Sequence, residues 1–180
     1  HLSVIDENGN AVSMTTTIES SFGSRLMTRG FMLNNQLTDF SFRPEIDGRK
    51  VANRVQPGKR PLSSMSPTIV YDAKGTPIFT VGAAGGKTII MQVAKALIAH
   101  FDWGLSAQDS IAMGLVFFNR DGLVLEQGTI VEGMKAPLEA MGHKISVSRL
   151  GLKANAAERL PDGRWTGAAD PRSPGVSLQE

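Results

Sequence analysis

Alternating apolar and polar residues open the chain and predict a β-hairpin. A first strand covers Leu2 to Ile5, and a second follows from Ala11 to Ile18. Asn8-Gly9 lies between them, and both residues tolerate the positive φ that a tight hairpin turn requires. His1 is therefore expected at the head of a central strand. Because domains rarely begin in mid-strand, we expect that the chain was produced by cleavage in front of His1.

Further along the chain, the pattern changes from strands to helices and back. Residues 41–61 form a polar, basic stretch with three prolines, which predicts a loop. The remaining predicted elements are strands at 31–34, 69–71, 78–81, 122–126, 145–147 and 164–168, and helices at 88–101, 107–117 and 137–141. This order favours an α+β architecture over alternating βαβ units. We expect a single domain over residues 1–180, ending in a loose tail at 171–180.

Composition excludes several classes of function. The chain is 41% hydrophobic with a net charge of +2, which suits a globular protein and gives no indication of a nucleic-acid partner. No apolar run reaches the ~20 residues of a membrane-spanning helix. The absence of cysteine excludes thiol nucleophiles and disulfides. His1, His100 and His143 lack metal-ligand spacing, so we expect surface or core histidines, and no metal or other cofactor.

A glycine-rich segment, Gly82 to Thr88, follows a predicted strand and precedes a helix. It resembles a phosphate-binding loop but has one residue too few between its first glycine and Gly86-Lys87. Three interpretations remain open at this point. The glycines form a tight turn, they bind a nucleotide, or the N–H groups of Gly85 and Gly86 stabilise an oxyanion.

A hydroxyl-rich loop lies between Arg60 and Thr68, bracketed by two prolines. Its residue types are typical of an ordinary serine turn. The alternative is that Ser63 and Ser64 form a fixed pair of hydroxyls that bind a substrate carboxylate.

Polar residues also follow two early strands. Gln36 and Asp39 lie three positions apart, and their side-chain oxygens could hold an ammonium group; the alternative is a solvated loop. Glu19 follows a threonine-rich strand, and its plainest interpretation is a solvated charge at a strand end.

Taken together, these segments resemble the small subunit of the γ-glutamyltranspeptidase family. The matching segments are His1-Leu-Ser-Val-Ile-Asp6, Gly9-Asn-Ala-Val-Ser13, Thr17-Ile-Glu19, Leu33-Asn-Asn-Gln36, Asp39-Phe-Ser41, Lys59-Arg-Pro-Leu-Ser-Ser-Met-Ser-Pro-Thr68, Gly85-Gly86 and Gly167-Ala-Ala-Asp-Pro-Arg172. The similarity runs nearly end to end, and the Pro-Leu-Ser-Ser-Met-Ser-Pro-Thr run is highly specific.

The resemblance implies an N-terminal-nucleophile hydrolase with a four-layer αββα sandwich, completed by a large subunit from the same self-cleaving precursor. Small subunits of the family begin Thr-Thr-His, so the nucleophilic threonine is expected two positions upstream of His1. A γ-glutamyl donor such as glutathione would acylate this threonine, and an amine, a dipeptide or water would accept the acyl group.

The resemblance also assigns roles to individual residues. Gly85 and Gly86 would form the oxyanion hole, and Thr17 would orient the nucleophile. Ser63 and Ser64 would bind the donor's α-carboxylate together with an arginine of the large subunit. Its α-amino group would be bound by Glu19, Gln36 and Asp39.

Two departures from the family pattern widen the range of possible substrates. Many relatives carry Asn in place of Glu19, and the loop between Ser41 and Asn53 is shorter than the lid of some relatives. A related amidase or acylase acting on a cephalosporin side chain or an oxamate-like amide is therefore the main alternative, and a nucleotide-binding module and a catalytically inactive relative are the others. The family suggests a periplasmic or secreted protein, with the cytoplasm as the alternative.

Overall fold

The computed structural model describes residues 1–178; the last two residues of the predicted tail lie outside this part. Its strands are β1 Leu2–Ile5, β2 Ala11–Met14, β3 Met27–Thr28, β4 Phe31–Met32, β5 Glu45–Ile46, β6 Arg49–Lys50, β7 Thr68–Tyr71, β8 Pro77–Ala84, β9 Val116–Asn119, β10 Gly122–Glu126, β11 Ile145–Ser148, β12 Lys153–Arg159 and β13 Trp165–Ala169. The α-helices are α1 Ile89–Phe101, α2 Ala107–Ala112 and α3 Lys135–Ala140. Three short 3-10 helices cover Gln36–Asp39, Gly86–Thr88 and Ile130–Met134.

The described chain divides into two compact units. The core unit contains residues 1–15 and the chain from Ser64 onward, and the inserted unit is Thr16–Ser63. The single domain expected from the sequence stays a prediction, and each unit is described separately.

A four-stranded antiparallel sheet organises the core unit, in the order β13-β12-β8-β7. Successive side chains of a strand point to opposite faces of the sheet. Phe79, Val81 and Ala83 of β8 therefore share one face, where they form a buried cluster with Ile89 and Val93 of α1. Helix α2 packs against β12 and β13. One face of the sheet is thus covered by helices.

The β1–β2 hairpin packs against the same sheet. The imidazole of His1 lies over Gly82, whose side of β8 is opposite to that of Val81 and Ala83. Around the four-stranded sheet, the core unit therefore has three layers, namely helices, the sheet itself and the hairpin. The outer face of the hairpin carries exposed apolar side chains, namely Leu2, Val4, Val12 and Met14.

A second, three-stranded sheet has the order β11-β10-β9, with β10 parallel to β11. Arg172 links this sheet to the rest of the core unit through ion pairs with Glu126 of β10 and with Asp170. Arg172 also donates to backbone carbonyls at the end of α2, Ile111 and Ala112 among them. The start of the predicted tail is thus anchored at Arg172, and its looseness beyond that point stays a prediction.

The inserted unit contains two short hairpins, β3–β4 and β5–β6, and the 3-10 helix Gln36–Asp39. The β5–β6 hairpin lies in the stretch predicted as a loop. Its turn residues Asp47 and Gly48 have φ values of 49° and 73°, the left-handed geometry that closes a two-residue hairpin.

Most predicted elements of the core unit are confirmed, with three corrections. Helix α2 ends at Ala112 and not at residue 117, because Met113 is extended and Val116–Asn119 pairs as β9. Strand β2 ends at Met14, four residues earlier than predicted. Strand β12 was not predicted, because the alanine-rich and charged segment Lys153–Arg159 has low β-propensity.

Within residues 1–178, no helix has the length and apolar character needed to cross a membrane.

Candidate active site

A tight turn presents Glu19 in the inserted unit. The hydroxyl oxygen of Thr17 accepts a hydrogen bond of 2.8 Å from the Glu19 N–H. Glu19 has a φ of 76°, which is unusual for a residue with a side chain. Such strain persists only where surrounding contacts hold it, and it often marks a functional position. The threonine bond and the strained backbone together fix the start of the Glu19 side chain.

Asn35 holds this turn to the neighbouring 3-10 helix. Its Oδ1 accepts from the Ser20 N–H at 3.0 Å, and its Nδ2 donates to the Ser20 hydroxyl at 3.1 Å and to the Thr38 hydroxyl at 2.9 Å. Its own N–H donates to the carbonyl of Ile18. Sequence reasoning gave Asn35 no role, because nothing in the local pattern indicated a contact fifteen residues away.

The structure brings the three predicted ammonium-binding residues together. Gln36 donates from Nε2 to Oδ2 of Asp39 at 2.6 Å, across one turn of the 3-10 helix. Burial, together with the negative charge of Asp39, raises the pKa of Glu19 in the neighbouring turn. Two carboxyl groups that repel each other favour a cation, because a positive charge between them relieves the repulsion.

Ser63 and Ser64 are consecutive residues on either side of the boundary between the two units. The Ser64 carbonyl accepts a hydrogen bond of 3.0 Å from the Ser66 hydroxyl. Both interpretations of this loop, the serine turn and the carboxylate site, stay predictions. Met65 packs against the hydrophobic cluster of the core unit, which anchors the chain next to Ser64.

Gly85 and Gly86 form the turn between β8 and the helical segment that leads into α1. Their φ values are 133° and 59°, which residues with side chains rarely adopt. Backbone N–H groups at the start of a helical segment lack partners within the helix. An oxyanion hole needs donors of this kind, and the assignment of Gly85 and Gly86 to one stays a prediction.

Buried Gln92 supports this glycine turn. Its Nε2 donates to the Ala84 carbonyl at 3.0 Å and to the Thr88 hydroxyl at 2.9 Å, and its Oε1 accepts from the Lys153 N–H at 3.1 Å. The helical spacing predicted a helix here but did not distinguish Gln92 from an ordinary polar residue. Its burial, with only 2% of its surface exposed, shows that it has a structural task.

Gly82 does not belong to a phosphate-binding loop. Residues 82–84 lie inside β8, where Gly82 pairs with Asn155 of β12. A Cβ atom at Gly82 would lie 2.1 Å from the imidazole of His1, so glycine makes room for that ring. Gly82 is therefore not available as the first glycine of such a loop, which argues against the nucleotide-binding interpretation.

His1 is held firmly at the start of β1. Its Nδ1 lies 2.7 Å from the Thr15 hydroxyl oxygen, and its carbonyl accepts from Nδ2 of Asn155 at 2.6 Å. His100, by contrast, stacks on Phe79 inside the core unit and pairs with Glu158 at 3.3 Å, as expected for a core histidine. No group of three potential metal ligands occurs among residues 1–178.

The predicted site residues thus fall into two sets. Thr17, Glu19, Gln36, Asp39 and Ser63 belong to the inserted unit, and Ser64, Gly85 and Gly86 belong to the core unit.

Comparison with known proteins identifies the family. The family model described as gamma-glutamyltranspeptidase matches residues 1–179. Two curated relatives are glutathione hydrolase proenzymes. The Bacillus subtilis protein is 36% identical over 99% of this chain, and the Escherichia coli protein is 38% identical over 96%. The chain spans only 30% and 31% of their lengths.

A solved structure supports the same family assignment. Gamma-glutamyltranspeptidase from Pseudomonas nitroreducens, complexed with L-DON, is 30% identical to this chain, with a TM-score of 0.87. The match covers 100% of this chain and 98% of that one. The fold is therefore that of the N-terminal-nucleophile hydrolases, as the resemblance implied. The chain belongs to the γ-glutamyltranspeptidase family and corresponds to its small subunit.

Proposed function

We propose that this chain is the small subunit of an enzyme that hydrolyses or transfers γ-glutamyl groups from glutathione-like amides. The observation that carries the proposal is the cluster of Glu19, Gln36 and Asp39. Two carboxyl groups and an amide oxygen form a site for a small cation, and the α-ammonium group of a γ-glutamyl donor is such a cation. A plain acyl amide without this ammonium would leave the two carboxylates repelling each other.

The α-carboxylate of the donor is assigned to Ser63 and Ser64. Hydroxyl groups donate hydrogen bonds to a carboxylate without neutralising it. The arginine predicted in the large subunit would supply the positive charge.

The chemical step uses a threonine two positions upstream of His1. Its free α-amino group takes the proton from its hydroxyl, and the Oγ atom attacks the donor's δ-carbonyl carbon. The N–H groups of Gly85 and Gly86 stabilise the oxyanion, a contribution of roughly 10² to 10³ in rate per donor. The C–N bond then breaks, the leaving amine takes the proton, and an ester remains on the threonine. Water or an acceptor amine cleaves that ester and regenerates the hydroxyl.

Two features support this placement of the nucleophile. The bonds from His1 to Thr15 and Asn155 fix the chain next to the proposed threonine. Thr17 accepts the Glu19 N–H, so its hydroxyl proton is available to donate to the nucleophile and orient it.

The large subunit is proposed as the partner that completes the enzyme. The exposed apolar face of the β1–β2 hairpin supports this proposal, because such a face is costly to leave in water. We expect the chain expressed alone to be poorly soluble. Export to the periplasm or the medium also stays a prediction, based on the family.

Release of p-nitroaniline from γ-glutamyl-p-nitroanilide by the full, self-cleaved precursor tests this proposal. We expect release that accelerates with glycylglycine, since the dipeptide amine competes with water for the acyl group. A protein that has cleaved itself yet releases no p-nitroaniline would retain the nucleophile but not the γ-glutamyl assignment, and other amides such as cephalosporin side chains would be tried next.

A further inference from the structure

Asn53 lies in the basic loop of the inserted unit, and its side chain joins two segments of the proposed donor site. Its Nδ2 donates to the Asp39 carbonyl at 2.7 Å, and its Oδ1 accepts from the Leu62 N–H at 3.0 Å. Asp39 belongs to the proposed ammonium site, and Leu62 immediately precedes Ser63 of the proposed carboxylate site. One amide side chain therefore spans the backbones of both.

The backbone around Asn53 is held as well. The Ser41 N–H donates to the Asn53 carbonyl at 2.9 Å, so Asn53 is bound through both its side chain and its main chain. On its two sides, Arg54 donates from Nη1 to the Val51 carbonyl at 3.0 Å, and Lys59 donates from Nζ to the Ala52 carbonyl at 2.7 Å. These two cations of the loop bind backbone carbonyls and so brace the segment that carries Asn53.

We propose that Asn53 is a positioning residue that sets the spacing between the ammonium and carboxylate sites. The enzyme then binds the α-amino and α-carboxylate groups of an α-amino acid cooperatively. This inference rests on the proposed function. An asparagine suits the task because its amide offers a donor and an acceptor on one short, stiff side chain. Asp39 and Ser63 are 24 positions apart in the chain, and the Asn53 amide gives them a shared support.

The consequence is energetic coupling between the two groups of the donor. Where one hydrogen-bond network holds both sites, binding of the ammonium group orders the carboxylate site, and binding of the carboxylate orders the ammonium site. The contributions of the two groups to donor recognition are then not independent. Without the Asn53 side chain, each site still binds its own group, but the two groups then contribute independently.

Four anilide donors measure this coupling on the full, self-cleaved enzyme. They are the p-nitroanilides of γ-glutamate, which has both groups, of glutarate, which lacks the α-amino group, of 4-aminobutyrate, which lacks the α-carboxylate, and of butyrate, which lacks both. The coupling ratio is the product of the kcat/KM values for the γ-glutamate and butyrate anilides, divided by the product of the kcat/KM values for the glutarate and 4-aminobutyrate anilides. A change in the fraction of active enzyme cancels in this ratio.

We expect a coupling ratio of about tenfold in the wild-type enzyme, within the usual range for groups of one network. Asn53→Ala is expected to bring the ratio near one. Asn53→Asp, which keeps the shape and the acceptor but loses the donor to Asp39, should do the same and covers the case in which the alanine variant does not fold. Asn119→Ala is the matched control, since Asn119 also accepts a backbone N–H, that of Asp121, in an exposed turn of the core unit.

The outcomes separate the inference from the proposed function. A wild-type enzyme that cleaves none of the γ-glutamyl anilide contradicts the proposed function itself. A wild-type ratio near one, with γ-glutamate still preferred, overturns the role of Asn53 alone. If the Asn53 variants keep the coupling ratio, including the case in which kcat/KM falls by the same factor for all four donors, Asn53 has only a structural role and the inference is overturned as well.

Discussion

The negative charge of Asp39 acts on the carboxyl group of Glu19, although the two residues lie twenty positions apart in the chain. Burial and the negative charge of Asp39 raise the pKa of Glu19 above its ordinary value. The folded protein therefore holds the Glu19 proton more tightly than the unfolded chain does, so ionising Glu19 works against folding. In the proposed function, a bound ammonium would reverse this effect, because it would stabilise both carboxylates.

This relationship predicts the pH dependence of donor binding. As the pH falls through the raised pKa of Glu19, the carboxylate is protonated, and kcat/KM for γ-glutamyl-p-nitroanilide should fall through an increase in KM. Glu19→Gln should remove this step and lower kcat/KM at neutral pH by about tenfold, as for loss of a hydrogen bond to a charged group. Since the repulsion disappears, Glu19→Gln should not lower the Tm at neutral pH.

Glutaryl-p-nitroanilide is the control for this experiment, because it has no ammonium group for Glu19 to bind. Its pH profile should lack the Glu19 step in both proteins. A Glu19 step of equal size with both donors would show that Glu19 acts elsewhere than on the ammonium group.

Alanine substitutions in the glycine turn should have unequal effects. At Gly85, a Cβ would lie 2.7 Å from the Thr88 hydroxyl and 3.0 Å from Nε2 of Gln92, and its φ of 133° is strained for any side chain. We expect Gly85→Ala to move the turn and lower kcat about 100-fold, comparable to the loss of one oxyanion donor.

Gly86→Ala is the matched comparison, because nothing lies within 4 Å of its Cβ. We expect only the cost of a left-handed backbone, about 1 kcal/mol, and a smaller loss of kcat. Measurements of kcat and of thermal unfolding for the two variants test whether Gly85→Ala has the larger effect. Equal kcat values for both variants would count against a role for the turn geometry in catalysis.

Gln92→Leu should destabilise the turn at Gly85 and Gly86, which the Gln92 side chain supports. The substitution removes a hydrogen-bond partner of the Ala84 carbonyl and of the Lys153 N–H. Both bonds are only partly buried, so each loss costs less than the roughly 1 to 3 kcal/mol of a fully buried group. We expect a lower Tm and a lower kcat with little change in KM, because the proposed donor-binding residues of the inserted unit are untouched. A variant that loses affinity for the donor but keeps kcat would contradict this assignment.

Arg172→Met tests the buried ion pairs of the core unit. Glu126 and Asp170 are only 4% and 1% exposed, and the substitution leaves both carboxylates without this cation. Breaking a buried pair by removing one partner costs about 3 to 5 kcal/mol, so we expect a large decrease in the free energy of unfolding. Arg164→Met, which removes an exposed ion pair with Asp162, is the control and should change stability little.

Much of the fold was predictable because short-range patterns decide it. The apolar spacing of α1, the hairpin signal at Asn8-Gly9 and the Ser106 cap at the start of α2 are all local signals, and the structure confirms the helix, the hairpin and the cap. Of the Asn8-Gly9 pair, only Gly9 has the positive φ that was expected for both residues. Strand β12 was missed because its position between β8 and β13 depends on pairing over long distances, which its alanine-rich sequence does not indicate.

The site was predictable only in part, and for the same physical reason. Glu19, Gln36 and Asp39 came from the resemblance, while local pattern alone favoured solvated loops. Asn35, Asn53 and Gln92 were given no roles, because each makes at least one hydrogen bond to a residue eight or more positions away. A single sequence shows which polar residues exist but not which backbone groups they meet after folding.

Mass spectrometry of the covalent intermediate tests the central claim most directly. The full, self-cleaved enzyme is mixed with excess γ-glutamyl-p-nitroanilide, quenched in acid and digested. We predict a γ-glutamyl adduct on the peptide that precedes and includes His1, located on the threonine two positions upstream of it. An adduct on Ser3 or Thr17, or no adduct on an enzyme that turns over this donor, would contradict the account.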